Sequence, residues 1–325
     1  MMKKELRYWL GVGLLTTGLA MMPAALLEIP VEAAASQAQD TDEAAEQDNW
    51  YWLSADDRYS KFIDLQSVVA QPRKTATGEK GYETEVQAWT KTAYSYGGAE
   101  DTLRDYKLLK KFSDPSKLAF STALISMNPQ TRQCWYLEEY FYDKAGNVFW
   151  SEKRDPAERD NDKKGKEINS QSFDEAFYTA AIDRAFQGAG ETARAKAKDR
   201  WYDIFEKKQP DGVRYTISAD TSTMRVEKDN VIFWSWQETK DVNGKAVDVK
   251  HQKLAINLPE STIKVISGDH WTPQRGWQSM ENELDGHYRM ISENSAEHQM
   301  VEKLREYVTT HDDWVHRYER KYDRT

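Results

Sequence analysis

At 325 residues the chain is long enough for two domains with separate cores, and its 12 Trp, 17 Tyr and 10 Phe are typical of a folded, strand-rich protein. The formal net charge of −9 argues against nucleic-acid binding, which requires a dense basic surface to neutralise phosphates. The single cysteine, Cys134, excludes an intramolecular disulfide and a multi-cysteine metal site, and we interpret it as a small buried side chain on a strand.

Residues 1–35 have the pattern of an export signal. Three basic residues precede the apolar run Tyr8–Leu27, and the small-residue sequence Ala33–Ala35 follows at a distance that a signal peptidase accepts. We predict cleavage after Ala35 and an exported protein, with the signal segment as its contact with the membrane. The alternative is an uncleaved anchor, because twenty uncharged residues approach membrane-spanning length.

The segment 36–49 has five acidic residues and no basic ones, and we predict a disordered, solvated linker there. The first module is predicted to span residues 50–188. Its predicted strands are Trp50–Leu53, Lys61–Val69, Thr84–Tyr94 and Leu118–Met127. Residues 71–81 are predicted to form a polar loop, while the spacing over Leu103–Phe112 fits either a short helix or a strand.

A hairpin and a helix complete the first module. Gln133–Glu152 consists of two aromatic-rich runs on either side of a turn at Asp143–Gly146, which predicts a β-hairpin. Ser170–Gln187 carries an apolar stripe at helical spacing, and Ser172 and Glu175 have the spacing of a capping box. We therefore predict a closing helix with Ser172 as its N-cap.

The second module is predicted over residues 201–325, after a polar, alanine-rich connector at residues 189–200. Its predicted strands are Trp201–Phe205, Val213–Ala219, Val231–Trp236, Lys253–Leu258 and Ile263–Ser267. A turn at Pro273–Gly276 follows, and apolar residues at helical spacing then predict one long C-terminal helix near Ser295–Tyr322.

The order of features in the two modules indicates an internal duplication. Both modules start with a Trp-Tyr pair, at Trp50 and at Trp201, and both end in a helix that follows a serine. Three residues of the first module recur at one common spacing in the second: Leu124 with Leu254, Pro129 with Pro259 and Gly146 with Gly276. We therefore predict an α+β fold of two tandem modules, each an antiparallel β-sheet with a C-terminal helix packed on it.

Short aromatic motifs in the first module carry a family resemblance. They are the strand sequences VQAWTKTAY and RQCWYLEEYFYD, the turn DKAGNV and the helix that follows a serine. With them the module resembles the surface-adhesin protein E family, and the second module resembles a degenerate copy. The resemblance implies a small antiparallel sheet with a terminal helix across one face, in an exported bacterial protein that in known cases binds host extracellular proteins.

One expected feature of that family is missing. The resemblance implies that the cysteine of the RQCW strand pairs with a second cysteine near the end of the helix, but Ala181, Ala185 and Phe186 occupy that region here. The link from sheet to helix is therefore absent. No binding residue of the family is carried over to this sequence.

The search for chemistry finds no local motif for nucleotide binding, serine hydrolysis or zinc-dependent proteolysis. All six histidines lie in the second module and are interpreted as solvated. The neighbours Glu138 and Glu139 should point to opposite faces of a strand, so they cannot act as one acid/base pair, and we expect one to be solvated and the other to lie at a sheet edge. We predict no catalytic residue, no metal site and no cofactor.

These observations predict a non-enzymatic binding protein that contacts a host, matrix or envelope protein through a sheet face or an edge strand, with no role for nucleic acid. Tyr94, Tyr96, Trp271 and Trp277 lie next to predicted turns and are the candidate exposed aromatic residues. Two alternatives stay open. One is a periplasmic enzyme with a site in the cleft between the modules. The other is a structural envelope protein held by an uncleaved signal.

Overall fold

The fold is described from a computed structural model over residues 49–74, 82–154, 165–295 and 297–318. The predicted signal at residues 1–35 and the predicted linker up to residue 48 lie outside the described residues. From Trp50 onward the chain forms one compact unit. No helix within the described ranges has the length and apolar character needed to cross a membrane.

Sheet A is an antiparallel sheet of eight strands from the first module. The strands are β1 (Trp50–Ala55), β2 (Tyr59–Asp64), β3 (Val69–Lys74), β4 (Tyr82–Tyr94), β5 (Phe120–Asn128), β6 (Gln133–Tyr142), β7 (Val148–Lys153) and β8 (Lys166–Glu167). They are ordered β1-β2-β4-β5-β6-β7, with β3 paired to β4 and β8 paired to β6.

Sheet B is an antiparallel sheet of eight strands from the second module. The strands are β9 (Trp201–Lys208), β10 (Arg214–Asp220), β11 (Arg225–Glu227), β12 (Asn230–Lys240), β13 (Ala246–Asn257), β14 (Thr262–Thr272), β15 (Gly276–Ser279) and β16 (Arg289–Met290). They are ordered β9-β10-β12-β13-β14-β15, with β11 paired to β12 and β16 paired to β14. Strand for strand, this is the topology of sheet A.

Short helices complete the described fold. They are α1 (Tyr96–Asp105), α2 (Glu175–Ala185), α3 (Glu191–Ala195), α4 (His298–Thr310) and α5 (Asp312–Val315), with single 3-10 turns at Pro115–Lys117 and Glu281–Glu283. The two antiparallel sheets and the helices that close each of them confirm the predicted α+β fold of two modules.

The ladder registers align the two modules residue by residue. The pairing of β5 with β6 shifts between Leu124 and Ile125, and the pairing of β13 with β14 shifts between Lys253 and Leu254. A bulge at the same place in both sheets makes Ile125 equivalent to Leu254 and Leu124 equivalent to Lys253. The predicted pairing of Leu124 with Leu254 was therefore wrong by one residue.

The turn after these strands explains the error. Asn128 pairs with Gln133 in the first module, and Asn257 pairs with Thr262 in the second, so the turns have the same length. Each turn ends in a left-handed residue, with φ of 56° at Arg132 and 51° at Ser261. The two prolines that guided the sequence alignment occupy different positions within this turn.

Each sheet has an inner face that the helices cover, and the main cores lie there. In the first module, α2 buries Phe177, Tyr178 and Ile182 against strand residues such as Ile125. A second cluster lies at the other end of the same face, where α1 and the following loop bury Leu103, Leu118 and Phe141. Cys134 is buried in the α2 cluster, as predicted, and burial raises the pKa of its thiol well above the ordinary value.

The core of the second module is built in the same way. Helix α4 packs Met300, Val301 and Leu304 onto the inner face of sheet B, against residues that include Phe233 and Leu254. The heptad-like spacing of these helix residues is what the sequence periodicity predicted. Separate apolar clusters on the two inner faces agree with the prediction that each module has its own core.

Several element boundaries differ from the predictions. Strand β3 begins at Val69 and takes in residues 71–74, which were predicted to be loop; the rest of that predicted loop, residues 75–81, lies outside the described residues. Helix α2 begins at Glu175, after Asp174 rather than Ser172 as N-cap residue. The Ser172 hydroxyl accepts a hydrogen bond from the Asn169 amide instead, so it stabilises the turn before the helix.

Within the described residues, which end at residue 318, the predicted long C-terminal helix is two helices; the rest of the predicted helix lies outside them. Helix α4 ends at Thr310, and His311 adopts a non-helical conformation with φ −127° before α5 starts. The hydroxyls of Thr309 and Thr310 donate to carbonyls one turn back, an arrangement that bends helices. The break lets Trp314 donate its indole N–H to the carbonyl of Thr221 at 2.7 Å.

The substitution Ile182→Ala tests the α2 cluster. Ile182 has no exposed surface, so loss of its side chain should leave a cavity and lower the free energy of unfolding by about 2–5 kcal/mol. Ile266→Ala is the matched control, because Ile266 is 37% exposed and should lose less than about 1 kcal/mol. Urea unfolding measures both values. Equal losses for the two variants would contradict the placement of α2 on sheet A.

Candidate functional site

The outer face of sheet A, opposite the helices, carries a band of aromatic side chains. Along β4, Val86, Ala88 and Thr90 are buried on the inner face, so the alternating Trp89 and Lys91 lie on the outer face. The ladder registers place further rings on the same side. We call this set the aromatic face: Trp50, Trp52, Phe62, Trp89, Phe120, Tyr140 and Tyr142.

The rings of the aromatic face contact one another across strands. Phe120 stacks on Tyr142 with centroids 4.5 Å apart and an angle of 9°, and Trp89 lies 6.2 Å from Tyr140. The ammonium group of Lys91 lies 5.0 Å from the Phe120 ring and 5.6 Å from the Trp50 ring. The rings are therefore held in place by cross-strand contacts before any partner arrives.

The aromatic face remains accessible to solvent. Trp52 is 57% exposed, and the other rings of the face are half-buried. Half-buried Trp and Tyr side chains combine a large apolar surface with a polar group, which suits them to binding contacts. The face thus offers a preformed apolar surface with Lys91 and Lys153 at the rings.

Sheet B carries an equivalent aromatic set on its outer face. Trp236 contacts Trp201 and Trp277 edge-on, at centroid distances of 6.3 and 5.8 Å. Trp234 stacks on His251 at 4.6 Å. In the ladders Trp234 pairs with Lys253 and Trp89 pairs with Leu124, directly beside the matching bulges, so Trp234 is the counterpart of Trp89.

A segment of the first module covers part of this second face. We call residues 166–170 the β8 segment. The Glu167 carboxylate accepts a hydrogen bond from the indole N–H of Trp234 at 3.0 Å and pairs with the ammonium of Lys253 at 2.8 Å. The Ser170 hydroxyl lies 3.4 Å from Nε2 of His251. The part of the outer face of sheet B around Trp234 and His251 is thus covered by polypeptide.

Burial at this contact changes the chemistry of the covered groups. Trp234 is 6% exposed and His251 is 2% exposed, so the interpretation of all six histidines as solvated was wrong for His251. Burial in this low-dielectric position lowers the pKa of His251 to about 4, so the imidazole is neutral at physiological pH. The same desolvation lowers the pKa of Lys253, and Glu167 opposes that shift. His251 therefore serves the contact as a neutral stacking partner for Trp234.

A network of buried ions joins the two modules next to this contact. Glu191 has no exposed surface and accepts from Arg132 Nη1 at 3.1 Å and from Arg317 Nε at 2.8 Å. Arg200 donates to Glu175 at 2.6 Å and to Asp220 at 2.8 Å. Each carboxylate therefore faces a guanidinium, which compensates the cost of removing these charges from water.

The four aromatic residues chosen from the sequence do not come together. The Tyr94 ring packs in the α1 cluster on the inner face, and its hydroxyl lies 2.7 Å from that of Ser121. Tyr96 is 62% exposed at the start of α1. Trp271 and Trp277 pair across β14 and β15 and are half-buried on the outer face of sheet B.

The aromatic face was missed by sequence reasoning, although its signal was present. The alternation over Thr84–Tyr94 separates Trp89 and Lys91 from the small residues on the other side. The sequence left open which side is buried. Ala88 and Thr90 are small, which allows a helix to approach the strand closely. Their size could have identified their side of the strand as the buried one.

The adjacent carboxylates Glu138 and Glu139 lie on opposite faces, as predicted. Glu138 is on the outer face, 3.0 Å from the ammonium of Lys153. One carboxylate of the pair was expected at a sheet edge, but Glu139 lies on the interior strand β6, is 8% exposed, and accepts a hydrogen bond from the Tyr106 hydroxyl at 2.6 Å. Burial raises the pKa of Glu139 to about 7, an effect that the Tyr106 hydrogen bond partly offsets.

Comparison with known proteins gives no match: no family model, no curated protein and no solved structure is similar to this chain. Across the part of the chain that the structure describes, no group of three or more His, Cys, Asp or Glu side chains is arranged to hold a metal ion.

The substitution Glu139→Gln tests the buried carboxyl group. Because burial raises its pKa from 4.5 to about 7, the folded protein keeps a proton that the unfolded chain releases, and wild-type stability should fall as the pH rises through this range. The variant has no such titration. Urea unfolding at a series of pH values should therefore show wild type losing up to about 3 kcal/mol relative to the variant between acidic and mildly alkaline pH.

Glu138→Gln is the matched control on the other face. Hydrogen bonds from Tyr140 and Lys153 lower the pKa of Glu138, so the wild-type advantage over this variant should grow rather than shrink as the pH rises. Parallel stability curves for wild type and Glu139→Gln would show that the Glu139 carboxyl is not buried.

Proposed function

We propose that this chain is an exported, non-catalytic binding protein, and that its aromatic face binds a polypeptide of another molecule. The aromatic face is the observation that supports this most strongly. Its rings are ordered by contacts within sheet A, and Trp52 alone leaves more than half of its surface in water. Ordered Trp and Tyr rings lose little conformational entropy on binding, which makes them strong anchors in protein interfaces.

The chain itself supplies the argument for a polypeptide ligand. On sheet B the counterpart of Trp89 is covered by the β8 segment, which offers a carboxylate to an indole N–H and to a lysine. The two sheets share one strand order and matching bulges, so equivalent residues occupy equivalent positions on the two outer faces. A short extended segment is therefore a natural occupant for the outer face of sheet A.

The junction between the modules, where the alternative enzyme would have its site, supports binding over catalysis. The carboxylates there, Glu175, Glu191 and Asp220, each lie within 3.1 Å of an arginine nitrogen. These contacts hold the two modules together as structural ion pairs. A catalytic acid or base would instead be turned toward a space that a substrate can enter.

The fold is in keeping with the protein E resemblance, which predicts a sheet with a terminal helix across one face. On that basis we propose that the protein resides in the periplasm or on the surface of a bacterium. The partner would then be a host extracellular protein, a matrix protein or another envelope protein.

The variants Trp52→Ser and Trp89→Ser test this proposal. Purified chain is passed over immobilised extracellular-matrix proteins, bacterial envelope proteins and the chain itself, and binding is measured by surface plasmon resonance. Each substitution should weaken binding to the recognised partner by about tenfold or more, because each removes a ring from the contact surface.

Tyr96→Ser is the matched control. Tyr96 is as exposed as Trp52 but lies on α1, away from the aromatic face, so its loss should leave the affinity unchanged. Binding that survives both tryptophan substitutions would overturn the proposal, as would the failure of every protein in the panel to bind.

A further inference from the structure

Met290 is the most exposed large apolar side chain among the described residues, and its position can be compared with an equivalent position in the first module. Met290, on β16, is 71% exposed, and Tyr288 beside it is 46% exposed. Two large apolar side chains exposed two residues apart are a candidate contact surface for another molecule. The duplication shows which surface covers the equivalent position in the first module.

Met290 is the counterpart of Glu167. Strand β8 pairs Gln133 with Glu167, and β16 pairs Thr262 with Met290, at equivalent points of the two sheets. The next residues, Ile168 and Ile291, are both buried. Their amides donate to the carbonyls of the two left-handed residues, Arg132 at 2.8 Å and Ser261 at 2.7 Å.

An ion pair at the helix start repeats as well. In the first module Lys166 donates to Asp174 at 2.7 Å, and in the second Arg289 donates to Glu297 at 2.8 Å. The β16 segment, which we define as residues 289–293, is therefore built and held like the β8 segment. The β8 segment covers sheet B, whereas the β16 segment faces solvent.

The free surfaces at the two ends of the molecule are complementary. Within the chain, Glu167 meets Lys253, which is a charged pair. The equivalent residues on the free surfaces are Met290 and Leu124, which are both apolar. Neither position of the charged pair is charged on the free surfaces. Trp89 lies beside them at the position that corresponds to Trp234. Because both members of the pair are replaced by apolar residues, the two free surfaces remain compatible with each other as the charged pair is within the chain.

A second pair of positions changes in the same compensating way. Within the chain, Arg200 links Glu175 to Asp220. Asp64 is the counterpart of Asp220, because each aspartate pairs with the first tryptophan of its sheet. His298 starts α4 as Glu175 starts α2. In the equivalent contact on sheet A, His298 would therefore face Asp64, with no residue in the role of Arg200 between them.

We propose that the occupant of the aromatic face is a second copy of this chain, whose β16 segment docks there as the β8 segment docks on sheet B. The inference rests on the proposed function, since it names the partner of the same face. Contact of one end with the opposite end of the next copy is heterologous and does not close after two copies. The copies would assemble head to tail, as stacked repeats do within one chain.

The variants Met290→Glu and Leu124→Lys test the contact from both sides. Sedimentation velocity of the full chain over a dilution series should show a mass that rises with concentration beyond that of a dimer. Each variant alone places a charge against an apolar partner and should weaken self-association by about tenfold or more. Met290 is so exposed that its substitution leaves folding intact.

A mixture of the two variants should associate again. The glutamate of one chain then meets the lysine of the other, which rebuilds the Glu167–Lys253 pair between copies. This rescued association should weaken in high salt, unlike that of wild type, because a surface ion pair is screened. Val242→Glu is the control: Val242 is 64% exposed at the turn after β12, outside both surfaces, and should leave the association unchanged.

Two results would overturn the inference: a wild-type chain that stays monomeric at every concentration, or an association that Met290→Glu does not weaken. The panel measurement separates this failure from that of the proposed function. A monomeric chain that still binds a foreign protein through Trp52 and Trp89 would retain the proposed function and lose the second-copy partner.

Discussion

The contact between Glu167, Trp234 and Lys253 makes the outer faces of the two sheets differ in their access to solvent. Each sheet has two faces, and the described helices α2 and α4 pack on the inner ones. On the outer face of sheet B the β8 segment removes Trp234 and His251 from water, and its Glu167 carboxylate pairs with the indole N–H of Trp234 and the ammonium of Lys253. On the outer face of sheet A, Trp52 is exposed and Trp89, the counterpart of Trp234, is half-buried, so the two faces differ in their access to solvent.

That contact requires the modules to keep one orientation, and the buried ions at the junction provide it. The Arg132 guanidinium is fully buried, lies 4.4 Å from the centre of the Tyr178 ring and reaches Glu191. Arg317 reaches the same carboxylate from the second module. A buried charge without a partner is costly, so displacement of either module would leave several of these groups uncompensated. The network therefore favours a single arrangement over a flexible tandem.

Local sequence patterns predicted much of this fold, but they did not predict contacts between segments that are distant in the sequence. The alternation over Thr84–Tyr94 and the hairpin at Gln133–Glu152 gave strands that the structure contains. The start of α2 was misplaced because its N-cap residue, Asp174, is held by contacts with Lys166 and Tyr136, which lie outside the helix. Tyr94 lies beside a turn, as an exposed ring would, yet α1 folds back over it. Trp234 is covered by Glu167, which lies 67 residues earlier in the chain, so the local sequence around Trp234 does not predict this contact.

Oxidative footprinting of the tryptophans in dilute protein, read by mass spectrometry, tests the difference between the two faces most directly. Trp52 should be labelled rapidly and Trp234 should be protected, because the β8 segment covers Trp234. Removal of the covering carboxylate in Glu167→Ala should increase labelling of Trp234 and leave that of Trp52 unchanged. Equal labelling of Trp52 and Trp234 in the wild-type chain would contradict the assignment of one open and one covered aromatic face.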